Sequence, residues 1–297
     1  MEGLAESRGS LAPRVSVNPL GTLKHLRHST QWSHDESRNE GPTQRSAAVK
    51  PSATVLSRRV YLPLLTLAFA VIWAMLAIAP HDRADWALEN FLALAAVVCL
   101  VATARVLPLS RISYTLIFLF MCLHSVGAHY TYALVPYDDW TRLMPGGSLN
   151  AALGFERNHF DRVVHFLYGL LLVYPIREVF VRVADVRGFW SYFLPVDVAM
   201  STSMMFELFE WAAAELFGGD LGIAYLGTQG DIWDAHKDMA LASIGAVTGM
   251  TITAGLNFWL QRDFAREWLE SLKVKAAAPL GEDAIERMWR DRSGSQM

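Results

Sequence analysis

Several short groups of acidic and imidazole side chains carry the chemistry open to this chain. Asp161 and His165 stand four residues apart, a spacing that puts both on one face of a helix. Glu207 and Glu210 stand three apart and share a face for the same reason. Asp231, Asp234 and Asp238 follow at i, i+3 and i+7, a single stripe if that stretch is helical. His124 and His129 complete the set. Carboxylates and imidazoles are ligands of Zn, Mn and Mg sites. A divalent cation held by them lowers the pKa of bound water toward neutrality, and a spare carboxylate can take the proton. The expected metal ligands are therefore His129, Asp161, His165, Asp231, Asp234 and Asp238, with Glu207 or Glu210 as catalytic base. The His-Glu-x-x-His spacing of a known metallohydrolase does not occur.

The elements that must position these groups are apolar runs. Hydrophobic residues make up 53% of the chain, above the roughly 45–50% usual for a soluble domain, and mean hydropathy is positive at +0.23. The excess lies between about 60 and 260, while both ends are polar. Six runs stand out, at about 60–79, 87–107, 112–134, 163–181, 190–217 and 239–260. A helix needs about 20 apolar residues to cross a hydrocarbon core, so the expected fold is all-α and polytopic, with about six transmembrane helices. Gly245 and Gly249 form a small-xxx-small pair in the sixth run, which lets another helix approach closely. Residues 1–57 lack the apolar h-region of a secretory signal. They are rich in Ser, Arg, His, Asn, Gly and Pro and are expected to be a disordered polar tail. The membrane domain is expected over 58–261, followed by a cytoplasmic tail at 262–297.

Lys and Arg in short loops set orientation. Arg58, Arg59, Arg105, Arg111, Arg177, Arg182, Arg187, Arg262 and Arg266 fall on one side of the six runs. The other side holds Arg83, Arg142, Arg157, Arg162 and Lys237, spread over longer loops. Both termini are thus expected in the cytoplasm, with the loops at about 80–86, 135–160 and 218–237 facing outward. With that topology the third and fifth runs end at the outer face and the fourth and sixth begin there. His129, Asp161, His165, Glu207, Glu210, Asp231, Asp234 and Asp238 then lie at one level, delivered by four helices. Charged groups in spans cost a few kcal/mol each on insertion scales, so a chain that keeps several uses or pairs them. Besides a metal site, the cluster fits a proton or cation pathway. It also fits a structural network with Arg157, Arg162 and Lys237 as counter-charges.

Other features narrow the field. The formal net charge of −3 gives no concentrated basic face for nucleic acid. Cys99 and Cys122 both lie in apolar runs and read as small core hydrophobes, silent about redox compartment. Gly227 and Gly230 flank a polar pair, as in a tight turn or a re-entrant segment lining a cavity. Trp140, Trp211 and Trp233 suit an interfacial aromatic belt.

The runs HSVGAHYTYALVP at 124–136, NHFDRVVHFLYGLLLVYPIRE at 158–178, ELFEW at 207–211 and YLGTQGDIWDAHKDM at 225–239 together resemble the uncharacterised YjdF-like family of bacterial inner-membrane proteins. The resemblance covers roughly 60–260 and implies a multi-pass protein of the bacterial plasma (inner) membrane, with no activity to carry over. A narrower similarity, over about 161–250, is to VanZ-like membrane proteins. It rests on Asp161, His165, Phe166, Glu207, Asp238, Gly245 and Gly249, and it implies an envelope-facing role. The chain departs from that pattern where Glu-Leu-Phe-Glu-Trp replaces Glu-x-x-x-Gln, and Asp231 and Asp234 are extra. The functional expectation is a metal-assisted hydrolase or transferase acting on a lipid or cell-envelope substrate, with a divalent ion (Zn, Mn or Mg) as cofactor and membrane lipids as partners. The alternatives are a proton- or cation-coupled transporter and a non-catalytic membrane scaffold.

Overall fold

A computed structural model describes residues 58–261, 263–275 and 281–294. The polar tail expected over 1–57 lies outside the described residues. Among the described residues the chain is helical, with no strand.

Six long helices occupy the six apolar runs: α1 (Arg58–Leu76), α2 (Arg83–Thr103), α3 (Arg111–His129), α6 (Phe160–Val183), α7 (Trp190–Phe217) and α9 (Asp234–Leu260). Short helices α4 (Tyr137–Arg142), α5 (Leu149–Leu153) and α8 (Gly219–Leu226) lie in the connections, and α10 (Phe264–Ser271) and α11 (Glu282–Gly294) follow the last span. Helices α2, α3, α6 and α9 are long and apolar enough to cross a bilayer, and α1 adds a shorter apolar stretch, Val60–Leu76. At 28 residues, α7 reaches about 42 Å, more than the roughly 30 Å of a hydrocarbon core. It also carries three serines, one threonine and four acids.

Local chemistry sets the boundaries. Asp82 caps α2, its side chain accepting from the backbone N–H groups of Ala84 and Asp85. Ser110 caps α3 by accepting from Ser113 N, which satisfies donors a helix start leaves free. Glu178 of α6 fastens that α2–α3 corner, accepting from Ser110 N at 2.8 and 2.9 Å and from the Ser113 hydroxyl. The third run was expected to continue to about 134, but α3 stops at His129. Thr131 and Tyr132 adopt positive φ, and Tyr132 N donates back to Gly127 O at 2.8 Å. The Tyr132 ring then lies over Gly127, where a Cβ would sit 2.6 Å from it. The sixth run begins earlier than expected, at Asp234.

Helix α6 is central, packing on α9, α3 and α7. The α6–α9 contact is backbone to backbone. A Cβ on Gly245 would meet Phe166 O at 2.0 Å, and one on Gly249 would meet Leu170 O at 2.8 Å, so the small-residue pair serves α6. Ala242 and Ala246 are fully buried on the same face of α9. Val173, Tyr192, Ala199, Ala246 and Met250 form a core on which Phe264 and Trp268 of α10 pack. Elsewhere large apolar side chains such as Leu94, Val101, Leu256 and Phe258 are exposed, as lipid-facing residues are.

Candidate functional site

The site forms where α2, α6 and α9 begin and α7 ends. Asn158 prepares the start of α6: its Oδ1 accepts from Phe160 N at 2.9 Å while its Nδ2 donates to Val135 O at 2.8 Å. Gln229 and the Asn158 backbone exchange two hydrogen bonds of 3.1 Å, and Arg157 donates to Thr228 O at 2.8 Å. Gly227, Gln229 and Gly230 take positive φ, so the segment after α8 is a tight turn strapped to the start of α6.

Two guanidinium groups close this end. Arg157 donates to Asp234 at 2.7 Å and lies 3.5 Å from Asp231. Arg162 bridges the same acids, at 2.5 Å to Asp231 and 3.2 Å to Asp234. Lys237 adds a third cation to Asp231 at 2.6 Å. The hydrogen bond from Lys237, with others from Trp233 N and Arg162, holds the Asp231 carboxyl well below the usual carboxylate range. Asp138 is depressed in the same direction, first through the hydrogen bond from Asn150 N. By accepting from Ser148 and Asn150, it organises the α4–α5 connection.

Beneath the arginines, Asp161, His165 and Asp238 each offer a ligand atom, and these atoms lie within 4.8 Å of one another. His165 Nε2 is 3.5 Å from Asp161 Oδ1 and 3.5 Å from Glu207 Oε1. Asp238 is 2% and His165 7% exposed. One oxygen of Asp238 and Oε1 of Glu207 are buried without a hydrogen-bond partner. Burial of such acceptors without compensation is costly, and a cation among them would supply what they lack.

The eight residues singled out from the sequence thus divide. Asp161, His165, Glu207 and Asp238 converge. Asp231 and Asp234 sit beside them but are taken by Arg157, Arg162 and Lys237. Glu210 lines an adjoining cavity. His129 stands apart, with Nδ1 2.7 Å from Leu76 O at the α1–α2 turn. His124 is also internal to the packing. Its Nδ1 accepts from the Tyr132 hydroxyl, and its Nε2 lies 3.2 Å from the carbonyl oxygen of Glu89.

Asp85 and Glu89 were absent from the expected set. They are 1% and 4% exposed and line the same cavity as Glu210. The i, i+4 spacing of two acids at the start of the second run carried the signal, because the depth rule that selected Asp161 and His165 applies equally to α2. Burial pushes the Tyr225 phenol upward, and Glu89 and Glu210 act in the same direction.

Fold and site define a polytopic, all-α membrane protein with a carboxylate–imidazole cluster at one end of its helices. Its family is equally plain. Residues 61–257 match the family described as "Predicted membrane protein (DUF2238)", and the chain belongs to it. It is similar to "Inner membrane protein YjdF" of Escherichia coli (strain K12), with 40% identity over 191 residues, 64% of this chain and 86% of that protein. The four runs that carried the resemblance fall entirely inside these bounds. No solved structure matches.

Proposed function

We propose that this chain is a bacterial inner-membrane protein, both termini cytoplasmic, that holds a divalent cation at Asp161, His165 and Asp238 and hydrolyses or transfers a group on a lipid or cell-envelope substrate. The carrying observation is the convergence of three ligand atoms within 4.8 Å beside an unpartnered Glu207 oxygen. Two carboxylates and one imidazole suit Zn, Mn or Mg and leave positions for water and substrate. A divalent cation held there would supply a water of lowered pKa. Glu207, 3.5 Å from His165 Nε2, accepts the proton and returns it to the leaving group. Arg157 and Arg162 at the rim offer donors to an anionic substrate group. The excess of arginine on the opposite side of the spans supports an outward-facing site, and the inner-membrane relative supports the location.

Elemental analysis of detergent-purified protein tests this reading. Wild type carries about one equivalent of metal that depends on these ligands, His165→Ala and Asp238→Asn lose that equivalent, and Glu207→Gln retains it while losing turnover. Unchanged metal in the first two variants overturns the proposal. A proton or cation pathway is the second reading, favoured by the buried acids Asp85 and Glu89 on α2. Proton flux into proteoliposomes that stops with Glu89→Gln would select it.

A further inference from the structure

Beside the proposed site, a second cavity opens among α2, the Thr131–Tyr132 turn, α6, α7 and α8. Asp85, Glu89, Asp161 and Glu210 line it, together with Thr131 and Tyr225. Both carboxylate oxygens of Asp85, one of Glu89 and the hydroxyl of Thr131 are buried with no hydrogen-bond partner. Asp85 and Glu89 are more than nine-tenths buried. The neighbouring cations are used elsewhere. Arg83 donates to Ala77 O at 3.0 Å and lies over the Trp86 ring, and Arg157 and Arg162 hold Asp231 and Asp234.

We infer that this cavity binds a hard divalent cation of the Mg²⁺, Mn²⁺ or Ca²⁺ class, with Asp85 and Glu89 as ligands and the Thr131 hydroxyl beside them. Three arguments carry it. The donor set is all oxygen, carboxylate and hydroxyl, which hard cations prefer to imidazole-selecting metals. The cavity volume of about 10 Å³ is close to the least that holds one water-sized species, so it admits an ion with few waters and excludes an organic substrate. Finally, two acids at i, i+4 on one helix face repel each other, and a cation between them removes the repulsion and supplies a partner for their unpaired oxygens. The site stands on different ligands from those of the proposed function.

Titration of the full-length detergent-purified chain with Mn²⁺, read by electron paramagnetic resonance of the free ion, tests both separately. Wild type is expected to bind two ions. Asp85→Asn and Glu89→Gln each weaken one by at least about tenfold and leave the other unchanged, whereas His165→Ala has the converse effect. Mg²⁺ or Ca²⁺ displaces the Glu89-dependent ion and Zn²⁺ displaces the His165-dependent one. Mn²⁺ binding by Asp85→Asn and Glu89→Gln equal to wild type overturns this inference, whatever His165→Ala does. Loss of only the His165-dependent ion from wild type overturns the proposed function and leaves this site standing. The competition arm needs no variant, and a wild type without a Mg²⁺- or Ca²⁺-displaceable ion also overturns it.

Discussion

Gly169 of α6 faces Ala242 of α9 with no room for a side chain: a Cβ at that glycine would lie 1.9 Å from the Ala242 carbonyl oxygen and 2.6 Å from Ala246 N. The same helix pair delivers Asp161 and His165 from one side and Asp238 from the other. Close approach and site geometry are therefore one property.

Gly169→Ala is expected to force the two helices apart. Overpacking costs about 1–3 kcal/mol and occasionally more, and here the obstacle is backbone, which cannot rotate away. The thermal midpoint in detergent should fall by about 5 °C or more, and bound metal should fall with it. Gly255→Ala, on α9 with nothing within 4 Å of its Cβ, serves as the control and should change neither.

Removing a guanidinium from the rim should destabilise more than a surface ion pair does. Asp234 is 3% exposed and takes both Arg157 and Arg162. Arg162→Ala leaves Arg157 to serve it alone, at a cost of about 2 kcal/mol, below the full penalty for a stranded buried charge because one partner remains. Arg162→Lys should recover only part, since an ammonium lacks the planar fork that bridges two carboxylates. Full recovery by lysine would show that simple charge, not bridging geometry, holds the two aspartates.

His129 supplies a discriminating variant for metal binding. Its Nδ1 is occupied by Leu76 O, away from Asp161, His165 and Asp238. His129→Ala should lose about 1 kcal/mol with that hydrogen bond and leave metal content at the wild-type value. Metal loss in this variant, in a protein that still elutes as wild type does, would place His129 back among the ligands.

Acid should loosen the strap between the α8–α9 turn and α6. The folded Asp231 carboxyl lies below its ordinary value, chiefly through Lys237. Its stabilisation is therefore present above the unfolded value of about 3.9 and is lost as pH falls through the lower folded value. Backbone amides near 228–234 should stay protected from hydrogen exchange between neutral pH and about pH 5, then open under stronger acid. Asp231→Asn should exchange rapidly across that whole interval. Protection that is independent of pH in both proteins would remove Asp231 from the strap.

Much of the architecture was legible because lipid leaves helices few alternatives: an apolar run long enough to span must satisfy its backbone internally. That constraint located α1, α2, α3, α6, α7 and α9, and the spacing of Gly245 and Gly249 announced a close helix contact before its partner was known. Helix periodicity likewise paired Asp161 with His165 and Glu207 with Glu210. What the linear chain could not contain was the company each group keeps. Asp234 and Asp238 lie on one stripe of α9, yet one is consumed by arginines from the start of α6 while the other faces His165. His129 ends a helix at the expected level but points its ring nitrogen at Leu76, because the chain reverses through Thr131 and Tyr132. Asp85 and Glu89, which looked like the polar margin of a span, are buried because α3 and α8 pack on α2. Periodicity and hydropathy are local, and they decide which segments become helices and which residues share a face. Ligand sets and ion pairs depend on the rotation and offset of helices that meet across the bundle, and packing at residues such as Gly169 and Ala242 decided those.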